Sequence, residues 1–172
     1  MTALPPPEQD GRYRLAVVCL GNICRSPMAH VVLEHRLEEA GLADRVTVTS
    51  SGTGGWHTGQ PMDERAAATL SAHGYDPSKH LARQFSTDWY AENDLLLAMD
   101  QTNRADMHDL TPTVDAAGRL MMFRAFDPEA ADEDAEVPDP YFGDGEGFEV
   151  VLAMVERTAD VLVDRVRATL GA

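Results

Sequence analysis

Apolar positions along this chain fall into two alternating rhythms, one with the spacing of a buried strand and one with the spacing of a helix. Residues 13–19 form a short run with Leu15, Val17 and Val18, bounded by Gly21 and Asn22, which is a buried-strand pattern. Ser26-Pro27 offers a helix start, because serine can cap and proline is tolerated at the first helical position. Residues 28–40 carry Val31, Val32, Leu33 and Leu37, and Gly41 follows as a C-terminal cap. The cycle repeats with valine alternating with threonine over 46–50, a loop over 52–59, and a helix over 61–73 closed by Gly74. Residues 94–99 are an apolar run of strand length, followed by a short helix over 101–110. Gly118 precedes a fourth strand at 120–123. From 127 to 147 the chain is acidic and rich in proline and glycine, a long loop of the kind that is functional or disordered. Phe148, Val151, Leu152, Val155, Ala159, Leu162, Val163 and Val166 then repeat at helical spacing to position 170.

Strands alternating with helices predict an α/β fold, a parallel sheet with helices on both faces. In such a sheet ligands bind beyond the carboxyl ends of the strands, where residues 19–25 fall. The expected division is a flexible proline-rich tail over 1–12, with Pro5-Pro6-Pro7, and a single domain over 13–172.

Length and composition (172 residues, 44% hydrophobic, 25% charged) are those of one globular domain. The formal net charge of -15 argues against nucleic acid or an acidic membrane surface as a partner. It also means that any site for an anion must make its own local positive field. No run approaches the roughly 18 apolar residues of a membrane span, and the N-terminus lacks the apolar core of a secretion signal. Two cysteines are too few for a disulfide scaffold or a cysteine-only zinc site, and they suit a reducing compartment, with the cytoplasm as the default location.

The candidate chemistry lies in Cys19-Leu20-Gly21-Asn22-Ile23-Cys24-Arg25-Ser26. A cysteine ends a strand, five residues turn, and an arginine and a serine open a helix. Such a turn can point successive backbone N–H groups into one concavity that suits a phosphate-sized anion. Gly21 and Asn22 are residue types that accept left-handed backbone. The helix N-terminus adds its positive dipole end, and Arg25 a planar fork matched to two phosphate oxygens. The same field favours a thiolate at Cys19, and Ser26 Oγ is placed to hydrogen-bond to it. A cysteine at a strand end is more often a small buried hydrophobe, and Gly-Asn an ordinary turn. The position between a strand and a Ser-Pro helix start is what favours the catalytic reading.

At these residues the chain resembles the low-molecular-weight protein tyrosine phosphatases, whose signature is a cysteine, five residues, then arginine and serine or threonine near the N-terminus. The likeness continues through Ser50 to Trp56-His57, through His80 to Gln84, and into Asp139-Pro140-Tyr141. It implies a three-layer doubly wound sheet of four parallel strands and a phosphocysteine intermediate formed without metal or other cofactor. It assigns Cys19 as nucleophile, with Arg25 and the amides of Leu20, Gly21, Asn22, Ile23 and Cys24 binding phosphate. Asn22 and Ser26 would belong to a hydrogen-bonded network behind the loop with Ser50 and His80. Taken alone, Ser50 reads as a strand-end serine and His80 as an exposed loop histidine. Of two Asp-Pro pairs, only Asp139-Pro140-Tyr141-Phe142-Gly143 has the aromatic neighbour and glycine expected of the general-acid loop, so the resemblance favours Asp139 over Asp127. Trp56 and Tyr141 would flank the cleft and stack on an aromatic substrate. Phe142 stands where many members have a second tyrosine. Cys24 would be placed for a protective disulfide with Cys19, against the alternative of a packed thiol.

The implied partners are a phosphotyrosine-containing protein or peptide and inorganic phosphate as product, with no nucleic acid and no membrane. A monomer is the default. Two relatives of the fold are weighed against this reading. A thiol-coupled arsenate reductase needs further cysteines, and none follows Cys24. A protein arginine phosphatase carries threonine at the position of Ile23, where an apolar side chain suits a flat aromatic ring. A catalytically dead phosphate-binding module would usually lack the nucleophile or the acid.

Overall fold

The computed structural model describes residues 3–172. Four strands, β1 (Tyr13–Cys19), β2 (Val46–Gly52), β3 (Leu95–Ala98) and β4 (Leu120–Met122), form one parallel sheet in the order β2-β1-β3-β4. Helices α1 (Arg25–Glu39), α2 (Glu64–Ala72), α3 (Trp89–Glu92), α4 (Gln101–Asp109) and α5 (Gly145–Thr169) surround it.

Because successive strand residues face opposite ways, β1 feeds two cores. Leu15, Val17 and Cys19 join Leu95 and Leu97 against Met28, Val32 and Leu37 of α1 and Phe148, Val155 and Leu162 of α5. Ala16 and Val18 join Leu96, Ala98 and Leu120 against Phe85, Trp89, Tyr90 and Met107. This burial on both faces is why β1 and β3 read as unbroken apolar runs. It also makes three layers, the expected doubly wound sheet with helices on both sides. Each fully buried side chain such as Phe148 is worth about 1.5–3 kcal/mol. From β1 the chain crosses by α1 on one face to β2, and from β3 by α4 on the other face to β4. The order therefore reverses between β1 and β3, and a crevice opens beyond their carboxyl ends.

Element ends differ from expectation in ways that bear on the site. Helix α1 begins at Arg25 rather than at Pro27, so Ser26 sits inside the first turn and caps nothing; Cys24 is the N-cap residue and makes no side-chain cap. Helix α2 is three residues shorter at its start than 61–73 and is capped by Asp63, which accepts from the Arg65 amide. The short α3 and two 3₁₀ turns at Ala116–Arg119 and Phe123–Phe126 carry no apolar periodicity and were not anticipated.

Of the expected tail, residues 1 and 2 lie outside the described residues. The rest carries no helix or strand and is held at several points. The Tyr13 hydroxyl donates to Pro5 O (2.8 Å), the Glu8 amide donates to Asp94 Oδ1 (3.0 Å), and Leu4 packs against the larger core. Among the described residues, no helix is long and apolar enough to cross a membrane.

Candidate active site

Residues 19–25 run from the end of β1 to the start of α1 at the point where the strand order reverses. Five of their carbonyls are paired, with donors that do not line the crevice. Thr53 N–H donates to Cys19 O, Gly54 N–H to Leu20 O, and Asp63 N–H to Ile23 O, at 2.8–2.9 Å. His80 Nε2 donates to Asn22 O (2.7 Å), and Met28 N–H to Cys24 O (3.1 Å). The amides of Leu20 through Ser26 have no partner among the described residues. Helix α1 has no side-chain cap and no acidic residue in its first turn, so its positive end stays uncompensated at the same place.

Two backbone details permit this loop. Asn22 is the non-glycine residue with left-handed backbone (φ 58°) among those described. Its side chain repays the strain by accepting from Arg83 N–H (2.9 Å) and donating through Nδ2 to Ser26 Oγ (2.8 Å). Gly52, at the end of β2, lies so close that a Cβ there would come within 2.6 Å of Leu20 O and 2.9 Å of the Asn22 nitrogen.

The Asn22 contacts also settle the hydrogen-bond directions behind the loop. Its Oδ1 takes a backbone N–H, so its Nδ2–H₂ must face Ser26 and occupy a lone pair of that hydroxyl. The Ser26 proton then points to Cys19 Sγ at 3.0 Å, with Ser51 O a longer alternative at 3.4 Å. His80 must carry its proton on Nε2 to donate to a carbonyl. Burial holds it below the usual histidine range, with His30 and Arg83 adding to that and the Asn22 contact opposing it.

Arg25 is nearly inaccessible (2% exposed) beneath the loop. Its Nη1 donates to Asp100 Oδ2 (2.6 Å) and Val137 O (3.0 Å), and its Nη2 lies 3.6 Å from Asp139 Oδ2. Burial works against its charge, but Cys19, Asp100 and Asp139 outweigh burial and hold the guanidinium above its ordinary pKa. Asp139 is about a third exposed, and its Oδ1 accepts the Tyr141 amide (3.1 Å). A cavity of about 150 Å³ is lined by Cys19, Leu20, Gly21, Ile23, Cys24, Arg25, Trp56, His57, Asp139, Tyr141 and Phe142. Cys19 is buried at 3% exposure, whereas Trp56 (71%) and Phe142 (89%) stand exposed at the mouth. Cys24 is also a free thiol; burial pushes its pKa far up, with Asp63, Cys19 and Asp139 adding to the effect.

The residues singled out from the sequence therefore separate into three groups. Cys19, Leu20, Gly21, Ile23, Cys24, Arg25, Trp56, Asp139 and Tyr141 share one cavity. Asn22, Ser26 and His80 stand behind it as a connected support, fully or nearly buried. Ser50 departs from expectation. Its Oγ pairs with His30 Nδ1 on α1 (3.1 Å) and forms no hydrogen bond with Asn22, Ser26 or His80. Strand alternation turns Ser50 toward α1, and the residue that meets the network is its neighbour Ser51, through its carbonyl.

Sequence reasoning missed Asp100, which caps α4 by accepting from Asn103 N–H (2.7 Å) while it grips Arg25. Its position just past β3, on the far side of the strand-order reversal, was the available signal. It also missed Arg65, which donates to the carbonyls of Tyr141 (2.9 Å) and Gly143 (3.2 Å).

Known proteins resemble this chain over nearly its whole length. The chain is 45% identical over 155 residues to a low molecular weight protein-tyrosine-phosphatase of Streptomyces coelicolor, covering 90% of this chain and 94% of that one. It is 47% identical over 154 residues to low molecular weight protein-tyrosine phosphatase A of Mycobacterium tuberculosis, covering 90% and 91% of the two chains. Among solved structures, a protein tyrosine phosphatase from Entamoeba histolytica with Hepes in its active site superposes with a TM-score of 0.85 at 29% identity, covering 91% of this chain and 97% of that one. The family model described as Low molecular weight phosphotyrosine protein phosphatase matches residues 14–171, and the chain belongs to that family.

Proposed function

We propose that this chain hydrolyses phosphotyrosine in proteins or peptides through a phosphocysteine at Cys19, with domain 13–172 as the catalytic unit. The observation that carries the reading is that Cys19, Arg25, the unpartnered loop amides and Asp139 all converge on one cavity. The Cys19 thiolate attacks phosphorus, and a P–S bond forms as the P–O bond to the phenol breaks. Asp139 delivers a proton to the departing phenolate oxygen. Water then gives a proton back to Asp139 and attacks phosphorus; the P–S bond breaks, releasing inorganic phosphate and restoring the thiolate. Arg25, the loop amides and the start of α1 supply the positive field at the phosphoryl oxygens, so the proposed steps call on no metal or other cofactor.

Leu20, Ile23, Trp56 and Tyr141 make the walls apolar or aromatic, which suits a phenyl ring that must reach a buried sulfur. Ile23 on the wall offers no polar group to a phosphoguanidine. Reversible pairing of Cys19 with Cys24 under peroxide belongs to the same reading. Two free thiols suit a reducing compartment, and the reading places the enzyme in the cytoplasm.

The test is turnover of a phosphotyrosyl peptide in reducing buffer with a metal chelator, beside the matched phosphoarginyl peptide. Wild-type turnover that vanishes in Cys19→Ser is expected. Preference for the phosphoarginyl peptide, or no turnover by a folded wild type, overturns the reading.

A further inference from the structure

The loop that bears Asp139 has little of its own to hold it. Asp139 Oδ1 accepts the Tyr141 amide, and Gly143 N–H donates to Pro140 O (3.1 Å), so residues 139–143 form two successive tight turns. Both are internal to the loop. Among the described residues, the hydrogen bonds that tie residues 138–143 to another element both come from Arg65 on α2.

Arg65 is itself fixed. Asp63 receives Arg65 Nε on Oδ1 (3.1 Å) and Nη2 on Oδ2 (3.0 Å), a two-pronged grip that sets the plane of the guanidinium. The same Oδ1 caps α2 by accepting Arg65 N–H (2.8 Å). From that plane Nη2 reaches Tyr141 O and Nη1 reaches Gly143 O, while Cζ lies 5.5 Å from the Tyr141 ring centroid and 4.8 Å from that of Phe148. The other end of the chain of contacts is the phosphate loop, because Asp63 N–H holds Ile23 O at 2.8 Å. One short segment, 63–65, thus spans from the proposed anion cradle to the proposed acid loop.

We infer that Arg65 is a positioning residue that holds the acid loop at a set place over the phosphate loop, and so governs proton delivery by Asp139. The inference rests on the reading of Asp139 as proton donor. Arg65 touches no reacting atom and lies outside the cavity lining. Its influence passes through two carbonyls and one ring face. A lysine has the charge but not two divergent N–H directions on one plane, so it cannot reproduce the clamp.

The experiment measures kcat/KM, which reports the step that breaks the P–O bond, for 2,4-dinitrophenyl, 4-nitrophenyl and phenyl phosphate. The first leaving group departs without a proton and the last needs one. The variants are Arg65→Met, which keeps an apolar stem against Phe148, and Arg65→Lys, each made alone and with Asp139→Asn, with thermal melts to confirm folding. Arg65→Met should lower kcat/KM for phenyl phosphate by about tenfold or more, part of the 10²–10⁴ that a positioned acid supplies, and change that for the dinitrophenyl ester by less than about threefold. Arg65→Lys should show the same leaving-group dependence in weaker form. In the Asp139→Asn background either change should add less than about twofold. Equal losses on all three esters, no loss on phenyl phosphate, or full additivity with Asp139→Asn would each overturn the inference. If Asp139→Asn alone shows no leaving-group dependence, the acid has been misassigned, and that failure is read from the single variant before Arg65 is considered.

Discussion

The two Asp-Pro pairs look alike as sequence and differ in almost every physical respect. The Asp127 side chain is fully buried (0% exposed), and its oxygens are divided among Arg124 Nε (2.8 Å), Arg157 Nε (2.7 Å) and the Glu129 amide (2.9 Å). Burial alone would push its carboxyl up, but Arg157, the Glu129 amide and Arg124 outweigh it and hold the group below the usual aspartate range. Asp139 is about a third exposed, with one amide and one arginine at 3.6 Å. A buried carboxylate whose two oxygens are held by two half-buried arginines and a backbone amide is a structural pin, joining the loop after β4 to α5. A carboxylate that faces a cavity with room on one oxygen can give and take a proton. Dipeptide identity says nothing of this; the number of donors does.

That contrast can be broken by exchanging readouts. Asp139→Asn should lower kcat for phosphotyrosyl peptide by about 10²–10³-fold. Its melting temperature should move by no more than about 2 °C, as for a surface change. Steady-state kinetics and a thermal melt on one preparation check both halves. Asp127→Asn should do the reverse. Losing one partner of a buried ion pair costs about 3 kcal/mol or more, which lowers the melting temperature by about 6–12 °C in a chain of this size. Turnover per folded molecule should stay within about twofold of wild type.

Acid should sharpen the difference further. A depressed folded-state pKa means that Asp127 stabilises above its unfolded value of about 3.9, and that this stability is lost as pH falls through the folded value. Urea unfolding of the wild type should therefore weaken more steeply below about pH 4 than that of Asp127→Asn. Parallel curves would show that other carboxylates carry the acid sensitivity. The smallest effect belongs to Arg157→Lys, which keeps the charge but loses the Nε–H bond. It should cost about 1 kcal/mol in the same titration, with no change in activity.

Much of this organisation was legible in the sequence because it follows from local rules. β1 and β3 appeared as apolar runs since both faces are covered, and α5 as a helical stripe since it covers one. The loop after β1 was legible because a cysteine, a left-handed Asn and a helix start come in one stretch. What escaped depends on long-range geometry. Asp100 meets Arg25 from 75 positions away, and Asp-Gln after a strand reads as a helix cap, which it also is. Ser50 faces α1 and pairs with His30, while Ser51 meets the network through a backbone carbonyl that no side chain announces. Arg65 carried no signal because its acceptors are carbonyls of a loop with no side-chain signature. Even α3, with Trp89 and Tyr90 buried against Phe85, is too short to show a period.

The paired carbonyls of the loop after β1 also separate two properties that amide exchange with deuterated water usually joins. Amide protection reports an acceptor on the N–H, and here the acceptors face the wrong way for protection while the chain is pinned by six donors on the other side. Amides 20–26 should exchange as fast as those of a frayed end, although the backbone there is among the best anchored in the molecule. Saturating inorganic phosphate should slow that same short stretch without any change of shape. The footprint of an anion would then appear as seven adjacent slow amides, with no movement required to explain them.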